Sequence, residues 1–199
     1  MLQRVPKQFL EGKKVRLELL SHCHRQSLIE AIKDGKLWQI TETMVPNEEE
    51  VADFIDKAQI EHADNTAFVY AIVDKESNSV VGSSRLMNIN SAHRKVEVGY
   101  TFIAASWQKT YVNTETKLLL LTLAFESMKV HRVEFSIDSK NFASQKAIER
   151  IGAIREGTLR NHMILRNHRT RHTIIYSIIT AEWNQVKMRL QDNLKTKIP

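Results

Sequence analysis

Residues 106–115 have the sequence SWQKTYVNTE and connect a strand-like segment to an apolar, helix-like one. Alternation with a period of two predicts a strand over 95–103, and dense apolar spacing predicts a buried helix over 114–128. A loop before a helix N-terminus offers free backbone N–H groups and the positive end of the helix dipole. The segment is therefore a candidate phosphate-binding loop, although an ordinary strand-to-helix connection capped at Asn113 gives the same pattern.

The sequence on either side alternates between strand-like and helix-like patterns. Further strands are predicted over 15–19, 68–73, 80–86, 133–137, 158–165 and 171–179. Further helices are predicted over 21–37, from the cap at Asn47 to about His62, over 143–150 and over 181–194, with Gly152 as a C-cap. These elements predict an α/β (α+β) fold with a seven-stranded, mixed and mostly antiparallel sheet and helices on both faces.

Length and composition predict one domain over residues 1–199, with its core at about 14–183. The chain has 199 residues, 42% of them hydrophobic, and only six glycines and three prolines, so dividing it would leave two marginal cores. The longest apolar run, Leu118–Leu121 followed by Leu123–Phe125, is too short for a membrane span, and residues 1–11 are too polar for a signal peptide. We therefore expect a cytoplasmic protein with no membrane contact.

The chain carries a formal charge of +6 and a pI near 9.4. Basic residues gather over 155–171, which fits either a nucleic-acid surface or a basic rim around an anionic cofactor or substrate. No aromatic-interleaved basic motif is present, so we expect no specific nucleic-acid binding. The single cysteine, Cys23, lies between His22 and His24, but adjacent ligands lack the usual zinc spacing, and we expect no metal.

Three blocks of sequence resemble the GNAT superfamily of N-acetyltransferases, in particular its RimJ/RimL-like branch of ribosomal-protein-alanine N-acetyltransferases. They are Gln108–Lys117, the Asn141-x-x-Ser144 element with the following 147–153, and the hairpin from 156–160 through Tyr176-Ser177. The resemblance covers roughly Lys14 to Trp183. It implies a sheet splayed at its centre, between the strands 95–103 and 133–137.

The same resemblance implies acetyl-CoA as the acyl donor and assigns residues to it. The backbone at Phe102 and Ile103 would pair with the pantetheine arm, while Asn141 would contact that arm from the opposite side and Ser144 would lie close to the sulfur. The pyrophosphate would be held by the loop and first turn, comprising Gln108, Lys109, Thr110, Tyr111, Val112, Asn113 and Thr114.

Acetyl transfer requires a neutral amine and benefits from an acid that protonates the departing thiolate. Glu97 is the candidate base; the alternative is a strand carboxylate that pairs with a basic side chain. Many relatives carry a tyrosine seven residues after the asparagine, but this chain has Ile148 there. Ser144 is therefore the candidate acid, unless it only caps the helix that follows.

Tyr111 occupies a position where the family pattern usually has glycine, and a side chain there resists the positive φ and close phosphate approach that glycine permits. Either the loop takes another path, with the ring stacking outward or over the cofactor, or cofactor affinity is lowered. We expect cofactor binding to survive, because Gln108, Thr110, Asn113 and the helix N-terminus remain. A non-catalytic acyl-CoA-binding module is the alternative to an enzyme. Trp38, Arg160 and His162 are candidate acceptor contacts. We expect a protein N-terminal α-amine as acceptor, with a small-molecule amine as the alternative, and a homodimer is possible.

Overall fold

The computed structural model of the protein describes residues 9–197. Its strands are β1 (Phe9–Glu11), β2 (Val15–Leu19), β3 (Phe68–Asp74), β4 (Ser79–Asn90), β5 (Lys95–Ile103), β6 (Arg132–Asp138), β7 (Ile154–Ile164) and β8 (Thr170–Ile179). Its α-helices are α1 (Arg25–Lys33), α2 (Val51–Ala63), α3 (Val112–Thr122), α4 (Phe142–Ile151) and α5 (Trp183–Lys197).

The strands form one sheet with the order β1-β2-β3-β4-β5-β6-β8-β7, in which only the β5–β6 pair is parallel. The described chain thus has eight strands, and the prediction of seven is corrected. The missed strand, β1, has three residues and pairs Phe9 with Glu18 at the sheet edge. A segment this short carries no readable alternation.

The sheet is splayed between β5 and β6, as predicted. These strands pair only at Lys95↔Arg132, Val96↔Val133 and Glu97↔Glu134. Beyond Glu97, β5 continues to Ile103 and β6 continues to Asp138 without further pairing between them. A backbone irregularity at Tyr100, with φ of 45°, lies just past the point where the strands part. The result is a V-shaped gap whose vertex is Glu97.

Helices cover both faces of the sheet because successive strand residues point to opposite sides. In β3, Tyr70 and Ile72 pack into a core beneath α3, α4 and α5. Val69 and Ala71, their neighbours, pack into a second core beneath α1 and α2. The gap between β5 and β6 therefore opens toward two differently built walls. No helix in residues 9–197 combines the length and apolar character needed to cross a membrane.

Two predicted helices differ in extent from the observed ones. The predicted helix 21–37 ends early, since Gly35 and Lys36 have φ of 88° and 49° and break α1 from a later 3₁₀ turn at Leu37–Gln39. Near Asn47 the predicted cap exists: Asn47 Oδ1 accepts from Glu50 N–H at 3.0 Å, and Glu50 Oε2 accepts from Asn47 N–H at 3.0 Å. The regular helix α2 begins only at Val51.

At α3 and α4 the predictions are close. The predicted helix 114–128 is α3 followed by a π-helical turn, Leu123–Ser127, closed by the bond from Met128 N–H to Leu123 C=O at 2.9 Å. Gly152 caps α4 with φ of 104°, a conformation that favours glycine.

Candidate active site

A cleft of about 1520 Å³ occupies the gap between β5 and β6. Its walls come from α2 and the segment before it on one side, from the loop before α3, from α3 and from α4 on the other, and from the β7–β8 hairpin. The predicted site residues that line it are Glu97, Phe102, Ile103, Gln108, Lys109, Thr110, Asn113, Asn141, Ser144 and His162. The structure therefore gathers most of the predicted set in one place.

Glu97 lies at the vertex of the gap, in the last β5–β6 register pair. It is buried, with 6% of its surface exposed, and it lines the cleft. Asn88 on β4 donates to Glu97 Oε2 from Nδ2 at 2.8 Å. Among the described residues no cation forms an ion pair with this carboxylate, and the buried Arg171 lies near enough for the charge of Glu97 to act on it.

The loop before α3 is held by its own side chains. Gln108 Nε2 donates to Ile103 C=O at 3.0 Å, and Thr110 Oγ1 donates to Trp107 C=O at 2.7 Å. Lys109 has φ of 63° and faces the cleft. The carbonyl of Ile103 is thus already used by Gln108. The first N–H groups of α3 have no partner within the helix and can bind an anion.

Tyr111 does not occupy the position that the sequence pattern suggested. Its φ is −68°, an ordinary helical value, and the positive φ of the loop belongs to Lys109. The ring packs edge-on against Trp107, with centroids 6.3 Å apart, and the hydroxyl donates to Asp74 Oδ1 at 2.5 Å. The side chain does not line the cleft. The ring takes the outward path, one of the alternatives for Tyr111, and lies away from the cleft with its hydroxyl on Asp74 at the end of β3.

We therefore expect Tyr111→Gly to weaken the fold without improving cofactor binding. Losing a partly buried ring and its hydrogen bond to a buried carboxylate lowers the free energy of unfolding by about 2–4 kcal/mol. The affinity for acetyl-CoA changes less than about threefold, because the loop keeps its path.

Denaturant unfolding and calorimetry measure the two effects. Tyr111→Phe is the matched control: it keeps the ring and removes only the bond to Asp74, so it lowers stability by about 1–2 kcal/mol. Marked tightening of acetyl-CoA binding in Tyr111→Gly would contradict this account.

Val112 and Thr114 contribute backbone rather than side chains to the candidate phosphate site. Val112 is fully buried in the core and Thr114 is 4% exposed, and neither side chain lines the cleft. Both belong to the first turn of α3, where the free N–H groups lie.

The opposite wall is the N-terminus of α4. Asn141 is its N-cap, and its Oδ1 accepts from Ser144 N–H at 3.0 Å. The amide oxygen of Asn141 is therefore engaged, which leaves its Nδ2 to face a ligand. The helix is thus capped by the side chain of Asn141 and not by that of Ser144. Ser144 lines the cleft. Ile148 also lines the cleft and has no donor group.

The three predicted acceptor contacts have different positions. His162 on β7 lines the cleft and shares a hydrogen bond with Thr173 Oγ1 at 3.1 Å. Arg160 is exposed on the same strand and does not line the cleft. Trp38 packs, partly buried, against the core beneath α1 and α2. Its neighbours Leu37 and Ile40 face the cleft in its place.

Charge is segregated between the walls. In the described part of the chain, the cleft residues from 108–117 and 141–150 include no carboxylate but four cations: Lys109, Lys117, Lys146 and Arg150. The wall around α2 carries four carboxylates and one cation, Lys57; the carboxylates are Glu42, Glu50, Asp53 and Glu61. Two of these join neighbouring cations, Glu50 with Arg166 at 2.9 Å and Glu61 with Arg85 at 3.2 Å. The first wall suits a polyanion and the second suits a cation.

Several cleft residues were missed by the sequence analysis. Asn88 holds Glu97, and nothing in its sequence context indicated this. Arg171, 7% exposed, donates from Nη2 to Ser136 C=O at 2.9 Å; burial lowers its pKa, and the charges of Asp138 and Glu97 oppose that shift. Lys117 could have been found, because a lysine four residues after Asn113 lies on the same helix face.

The histidine pair around Cys23 lies outside this cleft. His24 Nε2 is 3.1 Å from Glu18 Oε2, and His22 Nε2 is 2.7 Å from Asp56 Oδ1. Within residues 9–197, no group of three or more His, Cys, Asp or Glu side chains is placed to hold a metal ion.

A splayed sheet, a basic wall with a free helix N-terminus and a carboxylate at the vertex define a transferase that uses an anionic acyl donor. The family model described as "Acetyltransferase (GNAT) domain" matches residues 14–154. This chain therefore belongs to the GNAT acetyltransferase family.

Relatives and solved structures agree with this assignment. "Putative ribosomal N-acetyltransferase YdaF" of Bacillus subtilis (strain 168) is 31% identical over 109 residues, which are 55% of this chain and 58% of that protein. The chain thus spans somewhat more than half the length of this curated relative. A GCN5-related N-acetyltransferase from Brucella melitensis is 27% identical, with a TM-score of 0.84 over 96% of this chain and 88% of that one.

A further solved structure has the same fold with lower identity. The Microcin C7 self immunity acetyltransferase MccE, solved with acetyl-CoA and AMP, is 21% identical, with a TM-score of 0.75 over 84% of this chain and 93% of that one. In the present chain the basic wall and the N-terminus of α3 fit acetyl-CoA, since four cations face the cleft there without a carboxylate.

Proposed function

We propose that this enzyme transfers an acetyl group from acetyl-CoA to the N-terminal α-amine of a protein, with Glu97 as the base. The observation that carries the proposal is the position of Glu97, a buried carboxylate at the vertex of the gap, where a wall rich in carboxylates meets a wall rich in cations. An incoming ammonium group is attracted to the first wall and must lose its proton at the vertex.

The chemistry of an α-amine matches a site with one candidate base. An α-amine with a pKa near 8 is roughly 10% neutral at pH 7, whereas a lysine side chain with a pKa near 10.4 is far below 1% neutral. Glu97 then has to remove a proton that is already weakly held, directly or through a water molecule. The nitrogen attacks the thioester carbonyl once it is neutral, and Glu97 or solvent receives its remaining extra proton.

The size of the cleft leaves room for an acceptor beside acetyl-CoA. The cleft measures about 1520 Å³, whereas a pocket for one small molecule usually measures roughly 300–1,000 Å³. Glu50 and Arg166 join the start of α2 to the β7–β8 turn, so the wall around α2 and the hairpin bound the same acceptor space. His162 lies on this side.

The printed names of similar proteins point in the same direction. YdaF is named as a ribosomal N-acetyltransferase, and the ribosomal-protein-S5-alanine acetyltransferase from Vibrio fischeri shares the fold, with a TM-score of 0.72. Both names describe those proteins and support, for this chain, a protein amine as the acceptor.

A panel of acceptors tests the proposal. Peptides with a free N-terminus, the same peptides blocked at the N-terminus but containing lysine, and small primary amines are incubated with enzyme and acetyl-CoA. We expect the free α-amine peptides to give a kcat/KM at least about tenfold above the other two classes, with acetylation located at the α-nitrogen by mass spectrometry.

The pH dependence is part of the same test. Because only the neutral amine reacts, kcat/KM for an α-amine peptide rises with pH, reaches half its maximum near pH 8 and levels off at about pH 9. If only the small amines were acetylated, the proposal that the acceptor is a protein would be wrong. If only the blocked, lysine-containing peptides were acetylated, the acceptor would be a lysine side-chain amine and not an α-amine.

A further inference from the structure

Lys117 is a buried lysine in the wall of the cleft. It lies four residues after Asn113, about 6 Å further along α3 on the same helix face, and both side chains line the cleft. Lys117 is 4% exposed, and its Nζ donates to Thr101 Oγ1 on β5 at 2.7 Å. Thr101 Oγ1 in turn shares a hydrogen bond with Ser84 Oγ at 2.7 Å.

No carboxylate balances this side chain within the described residues. The charged groups on the elements packed around α3 contact other partners: Glu115 accepts from the N–H groups of Lys13 and Lys14, Arg16 pairs with Glu18, Asn88 contacts Glu97, and Lys187 pairs with Glu126. Burial alone lowers the pKa of Lys117 to about 7. Its sequence neighbours, Leu118–Leu121, are apolar, and an apolar residue would satisfy the packing without this cost.

The position of Lys117 places it between the phosphate-binding end of the cleft and the vertex. The first turn of α3 lies at one end and Glu97 at the other, and Thr101 precedes the β5 residues Phe102 and Ile103. An amine deprotonated at Glu97 must meet the acyl carbon on the β5 side of the gap. The sulfur bonded to that carbon then lies toward α3, the helix that carries Lys117.

We propose that Lys117 is the general acid that protonates the sulfur atom of CoA as the acetyl group leaves. The new N–C bond forms and the C–S bond breaks; the sulfur keeps the bond's electron pair and takes a proton from Lys117 Nζ. Glu97 or solvent takes the proton released by the attacking nitrogen, and Lys117 recovers a proton from solvent after CoA departs. The inference extends acetyl transfer from acetyl-CoA and holds for any amine acceptor.

Two residues near this position are poorer donors, since Ile148 has no donor group and the hydroxyl of Ser144 is far less acidic than an ammonium ion. Tyr100 also lines the cleft, and Lys117 differs from it in being buried and hydrogen-bonded to Thr101 Oγ1. An acid is most effective when its pKa lies near the working pH, which is the condition that burial gives Lys117.

Calorimetric titration with CoA and with desulfo-CoA, which lacks only the sulfur, tests this contact without an acceptor or turnover. We expect wild-type protein at pH 7.5 to bind CoA up to about tenfold more tightly than desulfo-CoA, since only CoA has a thiol that can hydrogen-bond to Lys117 Nζ. Lys117→Met should lose this preference and bind CoA and desulfo-CoA with the same affinity. Lys146→Met, a cation on α4, should keep the preference.

The wild-type protein alone gives a second readout, which applies even if Lys117→Met fails to fold. Neutral Lys117 can accept a hydrogen bond from the CoA thiol, and the ammonium form cannot. Because the pKa of Lys117 is about 7, the preference for CoA should fall at least about threefold from pH 7.5 to pH 6. Equal binding of CoA and desulfo-CoA by wild type, or an unchanged preference in folded Lys117→Met, would overturn the proposal. So would stoichiometric acetylation of Lys117 by acetyl-CoA, because the lysine would then be an acceptor.

These outcomes are separate from those of the α-amine test. A protein that binds CoA and desulfo-CoA without preference retains the proposed acceptor chemistry and loses only the acid at Lys117. A protein that prefers CoA but acetylates only small amines retains the acid and loses the α-amine acceptor.

Discussion

Glu97→Gln is expected to lower kcat by about 10²- to 10⁴-fold, the range usually lost with a general base. Glutamine keeps the size of the side chain and can still accept from Asn88 Nδ2, so the fold and the vertex of the cleft are retained. The affinity for acetyl-CoA should change less than about threefold, because the phosphate-binding residues lie at the other end of the cleft. Steady-state kinetics and calorimetry measure the two quantities on one preparation.

Glu134→Gln is the matched control for this variant. Glu134 is the register partner of Glu97 on β6, but it pairs with Arg132 and Lys95 and does not line the cleft. Its replacement should leave kcat within about threefold of wild type. Turnover of Glu97→Gln equal to wild type between pH 6 and 9 would remove Glu97 from the mechanism.

Asn113→Asp is expected to weaken acetyl-CoA binding by about 30- to 100-fold without destabilising the protein. An added carboxylate in the first turn of α3 interacts favourably with the helix dipole, which contributes roughly 0.3–1 kcal/mol to stability. The same charge repels a phosphate a few ångströms away by about 2–3 kcal/mol at the effective dielectric constant of a protein surface. The variant therefore separates anion binding from folding.

Calorimetry and thermal unfolding test this variant against Asn113→Ser, which changes the side chain without adding charge. The serine variant should bind acetyl-CoA within about fivefold of wild type. The deficit of Asn113→Asp should also shrink at high salt, as screening predicts. An aspartate variant that binds acetyl-CoA like wild type would mean that the phosphates lie elsewhere.

The main features of the fold could be predicted from sequence because strand alternation and apolar helix spacing are strong in this chain. β3 and β5 alternate between two cores, and α4 is marked at both ends by Asn141 and Gly152. The break in α1 was missed, although Gly35 lies at it. Strand β1 was too short to predict. One domain over 1–199, cytoplasmic location and a homodimer stay predictions.

Tyr111 and Lys117 show where sequence comparison failed at the site. A tyrosine at a glycine position suggested obstruction, but the backbone places the positive φ at Lys109 and turns the Tyr111 ring toward Asp74. The lysine in an apolar helix was passed over because the helix was interpreted as core. The residue types alone predict neither the direction of the Tyr111 ring nor the exposure of Lys117 to the cleft. Both depend on which side of the loop and of α3 faces the gap between β5 and β6.

Calorimetric titration of the wild-type protein with acetyl-CoA at moderate salt tests the central claim most directly. The account predicts one binding site with a Kd in the micromolar range, about −8 kcal/mol, because the N-terminus of α3 and the cations of the same wall are free of obstruction by Tyr111. No binding at millimolar acetyl-CoA would contradict the account, since the cleft between β5 and β6 could then not hold the acyl donor.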